Sequence, residues 1–167
     1  MLQMKLCGDL VLRTKCEPVS DITPELLSTM DEMVSMMHDQ RGVGLAAPQI
    51  GSLSRFLVMM DPDTETVYRM VNPEIVSYGN ETCTMEEGCL SVLGNDGLPV
   101  FANVTRPSSV IVRWTDETGV DKMAEMSGLP ARIVQHETDH LDGKLFIDYL
   151  SPVRREMLMR KVKKLKK

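Results

Sequence analysis

The sequence predicts an α+β fold: antiparallel β-sheets packed around one late central helix, with an N-terminal helix and a basic C-terminal helix. Three observations lead there. Short apolar runs alternate with turn residues through the middle of the chain. Helix-start signals stand at Thr23-Pro24 and at Pro130. Residues 154–167 combine cations with apolar positions at helical spacing. A chain of 167 residues fits one domain, and folding at that size buries roughly 70% of the unfolded surface, enough for a core without disulfides. Residues 1–153 are expected to form the domain body, and 154–167 its tail.

In chain order, Thr23 is placed to cap a helix whose first position is Pro24. Leu26, Met30, Met33, Val34 and Met37 then recur at helical spacing, and Gly42 is placed to stop it. Strand-like runs follow at 56–60, 68–71, 110–114 and 120–126, separated by turn clusters at Asp61-Pro62-Asp63, Asn72-Pro73 and 116–119. The second helix is predicted to open at Pro130 and to run through His140 toward Gly143. The tail holds eight Lys or Arg and one Glu, a net +7. The whole chain is −5, which leaves −12 on residues 1–153. Leu158, Val162 and Leu165 give the tail an apolar stripe. Two readings stand for it: docking on a nucleic-acid-rich surface, or a solvated helix whose cations complement its dipole.

Composition is that of a globular protein, 43% hydrophobic and 26% charged. Lys5 and Asp9 interrupt the first residues, so no signal-peptide stretch is expected. No apolar run reaches 18 residues, and no membrane span is expected either. Cys7, Cys16, Cys83 and Cys89 form no C-x-x-C pair, which suits reduced thiols in a cytoplasmic compartment. The fourteen methionines read as adaptable core filler.

The strongest chemical signal is His136-Glu137-Thr138-Asp139-His140. Imidazoles at i and i+4 share one helix face and can grip one metal ion. Glu137 projects about 100° around the helix, where it can take a proton from water that the metal has acidified. At this composition the pattern arises by chance in only about a few chains per thousand. A catalytic site needs a third protein ligand. Downstream, the longer zinc-protease pattern continues as far as Gly143, but its third-ligand position falls on Phe146, and Glu156 lies inside the basic tail. Upstream, Glu87-Gly88-Cys89-Leu90-Ser91 offers a thiolate, with Gly88 letting backbone approach closely; alone, the segment reads rather as a buried structural cysteine. A third segment runs from Gly42-Val43-Gly44 through Leu45-Ala46-Ala47-Pro48 to Gln49. Its small residues suit ligand contact, and Gln49 could donate to an oxyanion. Alone, it reads equally as a glycine turn leaving a helix. His38 is expected at the surface.

Taken together, these three segments resemble the peptide deformylase family. That family carries G-x-G-x-A-A-x-Q, E-G-C-L-S and H-E-x-x-H in this order, and the likeness spans about residues 5–150. The resemblance implies a divalent metal held by Cys89, His136 and His140. Ferrous iron is typical, and zinc, nickel or cobalt can occupy such sites. Glu137 would be general base and then proton donor. Gln49 and the backbone N–H of Leu90 would stabilise the oxyanion, and Gly44 would pair with the substrate backbone. Val43, Leu129 and Ile133 would wall the methionine pocket, with Glu87 and Gly88 also on the substrate side. The substrate implied is an N-formyl-methionyl nascent chain, with formate released by a monomer whose basic tail docks on the ribosome, as in some relatives.

The likeness weakens after Ser91. Leu93 stands where proline is common, and residues 92–105 contain no Lys or Arg, although many relatives carry a substrate-contacting arginine there. Asn95-Asp96-Gly97 reads as a turn. Arg106 either pairs with Glu87 or merely precedes a strand, and Asp139 and Asp142 either orient the imidazoles or face solvent. Deformylation is the expected activity. A zinc endopeptidase and a metal-binding protein without turnover are the alternatives.

Overall fold

The computed structural model describes residues 2–163 of the chain. Among these the strands are β1 (Gly44–Ala46), β2 (Phe56–Met60), β3 (Val67–Tyr78), β4 (Thr82–Leu93), β5 (Pro99–Pro107), β6 (Ser109–Thr115) and β7 (Asp121–Ser127). The α-helices are α1 (Pro24–Asp39), α2 (Gly128–Leu141) and α3 (Pro152–Met159). Five strands form one antiparallel sheet in the order β1-β2-β3-β6-β7, and β4 and β5 form a separate antiparallel hairpin. The α+β architecture around α2 is the one expected. No described helix is long and apolar enough to cross a membrane.

Helix α1 starts as predicted: Thr23 Oγ1 accepts from the Leu26 N–H at 3.2 Å, and Pro24 opens the helix. Met30, Met33 and Met37 are fully buried against the main sheet, and each such burial contributes roughly 1.5–3 kcal/mol. The left-handed residue at the helix exit is Arg41 (φ 55°) rather than Gly42. Gly42 is required for another reason, since a Cβ there would stand 2.9 Å from Leu90 Cδ1.

Other expectations need correction. Asn72-Pro73 is no break between strands. β3 runs through it as a bulge, with Asn72 at φ 51° and the register to β6 shifted between Val71 and Glu74. The Asn72 side chain accepts from the Val19 N–H and donates to the Val19 carbonyl, both at 2.8 Å, so the N-terminal segment pins the bulge. Helix α2 opens at Gly128, two residues before Pro130.

The basic tail is not one helix. α3 ends at Met159; Val162 then forms an antiparallel bridge with Gly94, and the Lys163 N–H donates to the Leu93 carbonyl at 2.8 Å. Leu158 and Val162 are buried in a second core beneath the hairpin, with Leu12, Val92, Val104, Leu145 and Phe146. That anchorage ends the helix early. Leu165 and the cations of 164–167 lie outside the described residues.

Candidate active site

Helix α2 lies between the main sheet and the hairpin, and polar residues are buried on several of its faces: Arg132, Gln135, Glu137, Thr138 and His140. A helix that buries so many polar groups must satisfy them through specific partners or use them chemically. Both occur here.

From the hairpin side, the β4–β5 ladder shifts register between Gly88 and Leu93, so Cys89 and Leu90 lie where regular pairing lapses. The Cys89 thiol thereby meets the two imidazoles of α2. The ligand atoms of Cys89, His136 and His140 all lie within 4.8 Å of one another, and the three residues are buried. Cys89 Sγ and His140 Nε2 are 3.3 Å apart. Donors around one tetrahedral zinc- or iron-type ion stand about 3.3–3.7 Å apart, a spacing that Cys89 and His140 already have and that His136, within 4.8 Å of both, reaches by a small shift. The sulfur also faces two N–H donors, Ser91 N at 3.4 Å and Gln49 Nε2 at 3.6 Å.

Glu87 is the buried hub that orients the site. It accepts from His136 Nδ1 at 2.9 Å, from Arg106 Nε at 2.6 Å and Nη2 at 3.1 Å, and from Arg132 Nη1 at 2.6 Å. With Nδ1 so engaged, the Nε2 side of His136 is left to face Cys89 and His140. Burial pushes the Glu87 carboxyl up, but hydrogen bonds from His136 and Arg106 outweigh it and hold the group down to about 2. Arg106 extends the network to Asp139 at 2.7 Å and stacks 4.4 Å from the Tyr149 ring centroid. The expected Arg106–Glu87 pair is present. Asp139 and Asp142 touch neither imidazole through a hydrogen bond: Asp139 serves Arg106 and Tyr149, and Asp142 pairs with Arg55.

Glu137 lines the cleft in front of the three donors. Burial pushes its carboxyl up to about 7, opposed by the His136 charge and assisted by that of Glu87. Its Oε2 has no hydrogen-bond partner among the described residues, nor has His140 Nδ1. A Cβ at Gly44 would collide with the Glu137 carboxylate, so the glycine of β1 is what gives that carboxylate its place. Gln49 is buried. The Ala46 N–H donates to its Oε1 at 2.9 Å, and its Nε2 donates to Ser91 Oγ at 3.1 Å.

The cleft has a volume of about 260 Å³. It brings together Val43, Gly44, Gln49, Glu87, Gly88, Cys89, Leu90, Leu129, Ile133, His136 and Glu137, all expected at the site. His140 lies behind, against Cys89. Sequence reading missed Arg132, Gln40, Arg41, Pro99 and Phe101. Arg132 carried a usable signal, since it precedes His136 by one helical step of four and so shares its face. Phe146, at the position that ends the zinc-protease pattern, stacks on His136 with ring centroids 6.0 Å apart. It fixes the ring instead of ligating.

An H-E-x-x-H helix that meets a buried cysteine across an open cleft defines a metal-dependent hydrolase. The polypeptide deformylase family model matches residues 1–156. A peptide deformylase from Endomicrobium trichonymphae is 42% identical over 167 residues, covering 99% of this chain and 96% of its own. The crystal structure of a peptide deformylase from Legionella pneumophila is 40% identical and superposes with a TM-score of 0.88, over 96% of this chain and 92% of that one. That from Thermotoga maritima is 38% identical, with a TM-score of 0.82 over 91% and 99%. The chain therefore belongs to the peptide deformylase family of metal-dependent enzymes, which remove the N-formyl group from nascent polypeptides.

Proposed function

We propose that Cys89, His136 and His140 hold one divalent metal, Fe2+ in the native protein, and that Glu137 is the general base and acid of deformylation. The observation that carries this reading is the meeting of those three donors within 4.8 Å beside a buried carboxylate. The same donors would also accept Zn2+, Ni2+ or Co2+. A divalent ion there supplies Lewis acidity and a water of lowered pKa.

The chain's own groups do the rest. Glu137 accepts a proton on a carboxylate oxygen and returns it to the departing amine, and burial, which pushes this carboxyl up, favours the proton's uptake. Gln49 Nε2 and the Leu90 N–H donate to the oxyanion that develops on the formyl oxygen. Gly44 pairs with the substrate backbone as a strand would. Val43, Leu129 and Ile133 receive the methionine side chain, and Glu87 keeps His136 in the tautomer the site needs.

Residues 1–153 then act as a monomeric catalytic domain in a bacterial-type cytoplasm, and the basic tail contacts the ribosome. Because Leu158 and Val162 are buried, the tail is tested by charge reversal at Arg154 and Lys161 rather than by truncation. Weaker co-sedimentation with ribosomes at low salt is expected, and unchanged binding would refute the contact. The reaction itself is tested by formate release from an N-formyl-methionyl peptide by anaerobically iron- or nickel-loaded protein. Release by wild type and a loss of about 10²–10⁴-fold in Glu137→Ala are expected. Undiminished release by the variant would remove Glu137 from its role, and cleavage inside an unformylated peptide would restore the endopeptidase reading.

A further inference from the structure

A second groove lies outside the catalytic cleft, between β5 and α3, with a volume of about 470 Å³. One wall is the stretch of β5 from Val100 to Asn103. The other is Leu150, Met157 and Leu158, with the exposed Arg154 and Lys161 at the rim. Phe101 lines both this groove and the cleft, so an occupant of the groove lies beside the reacting centre without entering it.

Three features of the groove go unused within the chain. The first is a strand edge. β5 pairs only with β4, and among the described residues the backbone of 100–103 makes no hydrogen bond to any other element. An open edge of this kind is a template for an added strand. The second is apolar surface, since Met157 is 61% exposed and Phe101 56%. The third is charge. Arg155 pairs with Asp148 and Arg160 with Glu156, whereas Arg154 and Lys161 have no carboxylate partner among the described residues.

The spacing of these features selects the occupant. The β5 wall spans roughly 13 Å of strand, and Arg154 and Lys161 are separated by roughly 10 Å at helical rise. An extended segment with carboxylates at i and i+4 covers a similar length on one face and sets the side chain at i+2 between them. Two cations beside an apolar wall suit such a segment better than a phosphate backbone, which would leave Met157 and Leu150 unmatched.

We propose that the β5–α3 groove is a docking site for an acidic segment of a partner protein, bound as an added strand along β5, with an apolar side chain against Met157 and carboxylates on Arg154 and Lys161. The inference depends on neither the metal nor deformylation.

The test uses the full chain loaded with Zn2+ and the peptide acetyl-Thr-Glu-Thr-Leu-Thr-Glu-Thr-amide, followed through the amide resonances of residues 100–103. Saturable shifts are expected there, with a dissociation constant of about 0.1–1 mM. Arg154→Glu combined with Lys161→Glu should weaken binding about tenfold. Met157→Asp, which sets a carboxylate between the two cations, should weaken it by a similar factor. These residues lie outside the catalytic machinery, so unchanged formate release from a short formyl-methionyl peptide shows that the variants are folded. N-methylation of alternate peptide amides should abolish binding in one register and spare it in the other, as pairing along one strand edge requires. No shifts at 100–103, equal binding of the peptide with lysines in place of its glutamates, or binding that survives N-methylation in both registers would overturn the inference. So would oligouridylate that binds where the acidic peptide does not and is weakened by the same charge reversal, which would assign the groove to nucleic acid.

Discussion

On the sheet side of α2, Met30, Met33, Met37, Leu57, Met59 and Val134 pack as an apolar core; on its hairpin side, Glu87, Arg106, Arg132 and Asp139 form a buried ionic network. The hairpin is not part of the main sheet's ladder, so side chains must fix its distance from α2. Apolar contacts tolerate small shifts, but hydrogen-bonded charges do not, since a lost partner leaves a buried charge exposed to a low dielectric. The difference teaches a division of labour. Methionine packing holds the helix, and the ionic network sets where Cys89 stands relative to the two histidines.

Removing the hub should break this division most severely. Glu87→Ala leaves two arginines buried without their carboxylate and is expected to cost about 3–5 kcal/mol, with metal affinity reduced about 10–100-fold. Urea unfolding and metal titration check the two effects. Met33→Ala should cost about 2–5 kcal/mol by creating a cavity, yet leave the metal affinity of the folded protein unchanged. If Met33→Ala loosened the metal as much as Glu87→Ala, the two sides would not be distinct.

Acid sharpens the contrast further. The Glu87 carboxyl is held at about 2, below its ordinary 4.5, so its contribution is fully present above about 4.5 and is lost as pH falls toward 2. Stability of the metal-free wild type should therefore drop more steeply across that window than that of Glu87→Gln, measured by urea midpoints at each pH. Smallest of all is the cap of α3. Ser151 Oγ accepts from the Arg154 N–H at 3.4 Å, and Ser151→Ala should cost about 1 kcal/mol with no change in metal affinity. A larger loss would mean that α3 supports the hairpin side more than its short length suggests.

The same division explains what could be read from the sequence. α1, β2, β6 and β7 follow local rules of capping, periodicity and turn chemistry, and they lie close to the expected places. The hairpin did not reveal itself as a strand pair. Buried Glu87 and Arg106 interrupt the apolar alternation, and Met85 and Phe101 expose apolar surface, so hydrophobic periodicity carries little signal there. β3 escaped in part because Asn72-Pro73 has turn chemistry, and only the tertiary contact with Val19 turns it into a bulge. The end of α3 depends likewise on the burial of Leu158 and Val162 beneath the hairpin.

At the site, H-E-x-x-H was legible from its own spacing, whereas E-G-C-L-S and G-x-G-x-A-A-x-Q pointed to the site through the resemblance of the three segments together to the peptide deformylase family. Gly44 illustrates the limit. Its smallness was visible, but the reason, the space taken by the Glu137 carboxylate, exists only once β1 and α2 are packed. Arg132 and Phe101 were missed because their partners, Glu87 and Gly88, lie 45 and 13 positions away.

The most direct measurement is the absorption spectrum of cobalt-substituted protein during titration. One equivalent per chain is expected, with a sulfur-to-cobalt charge-transfer band that is present in wild type and absent in Cys89→Ser. A site that binds cobalt stoichiometrically without that band, or a band that survives Cys89→Ser, would contradict the assignment of Cys89 as the ligand that the hairpin brings to the two histidines.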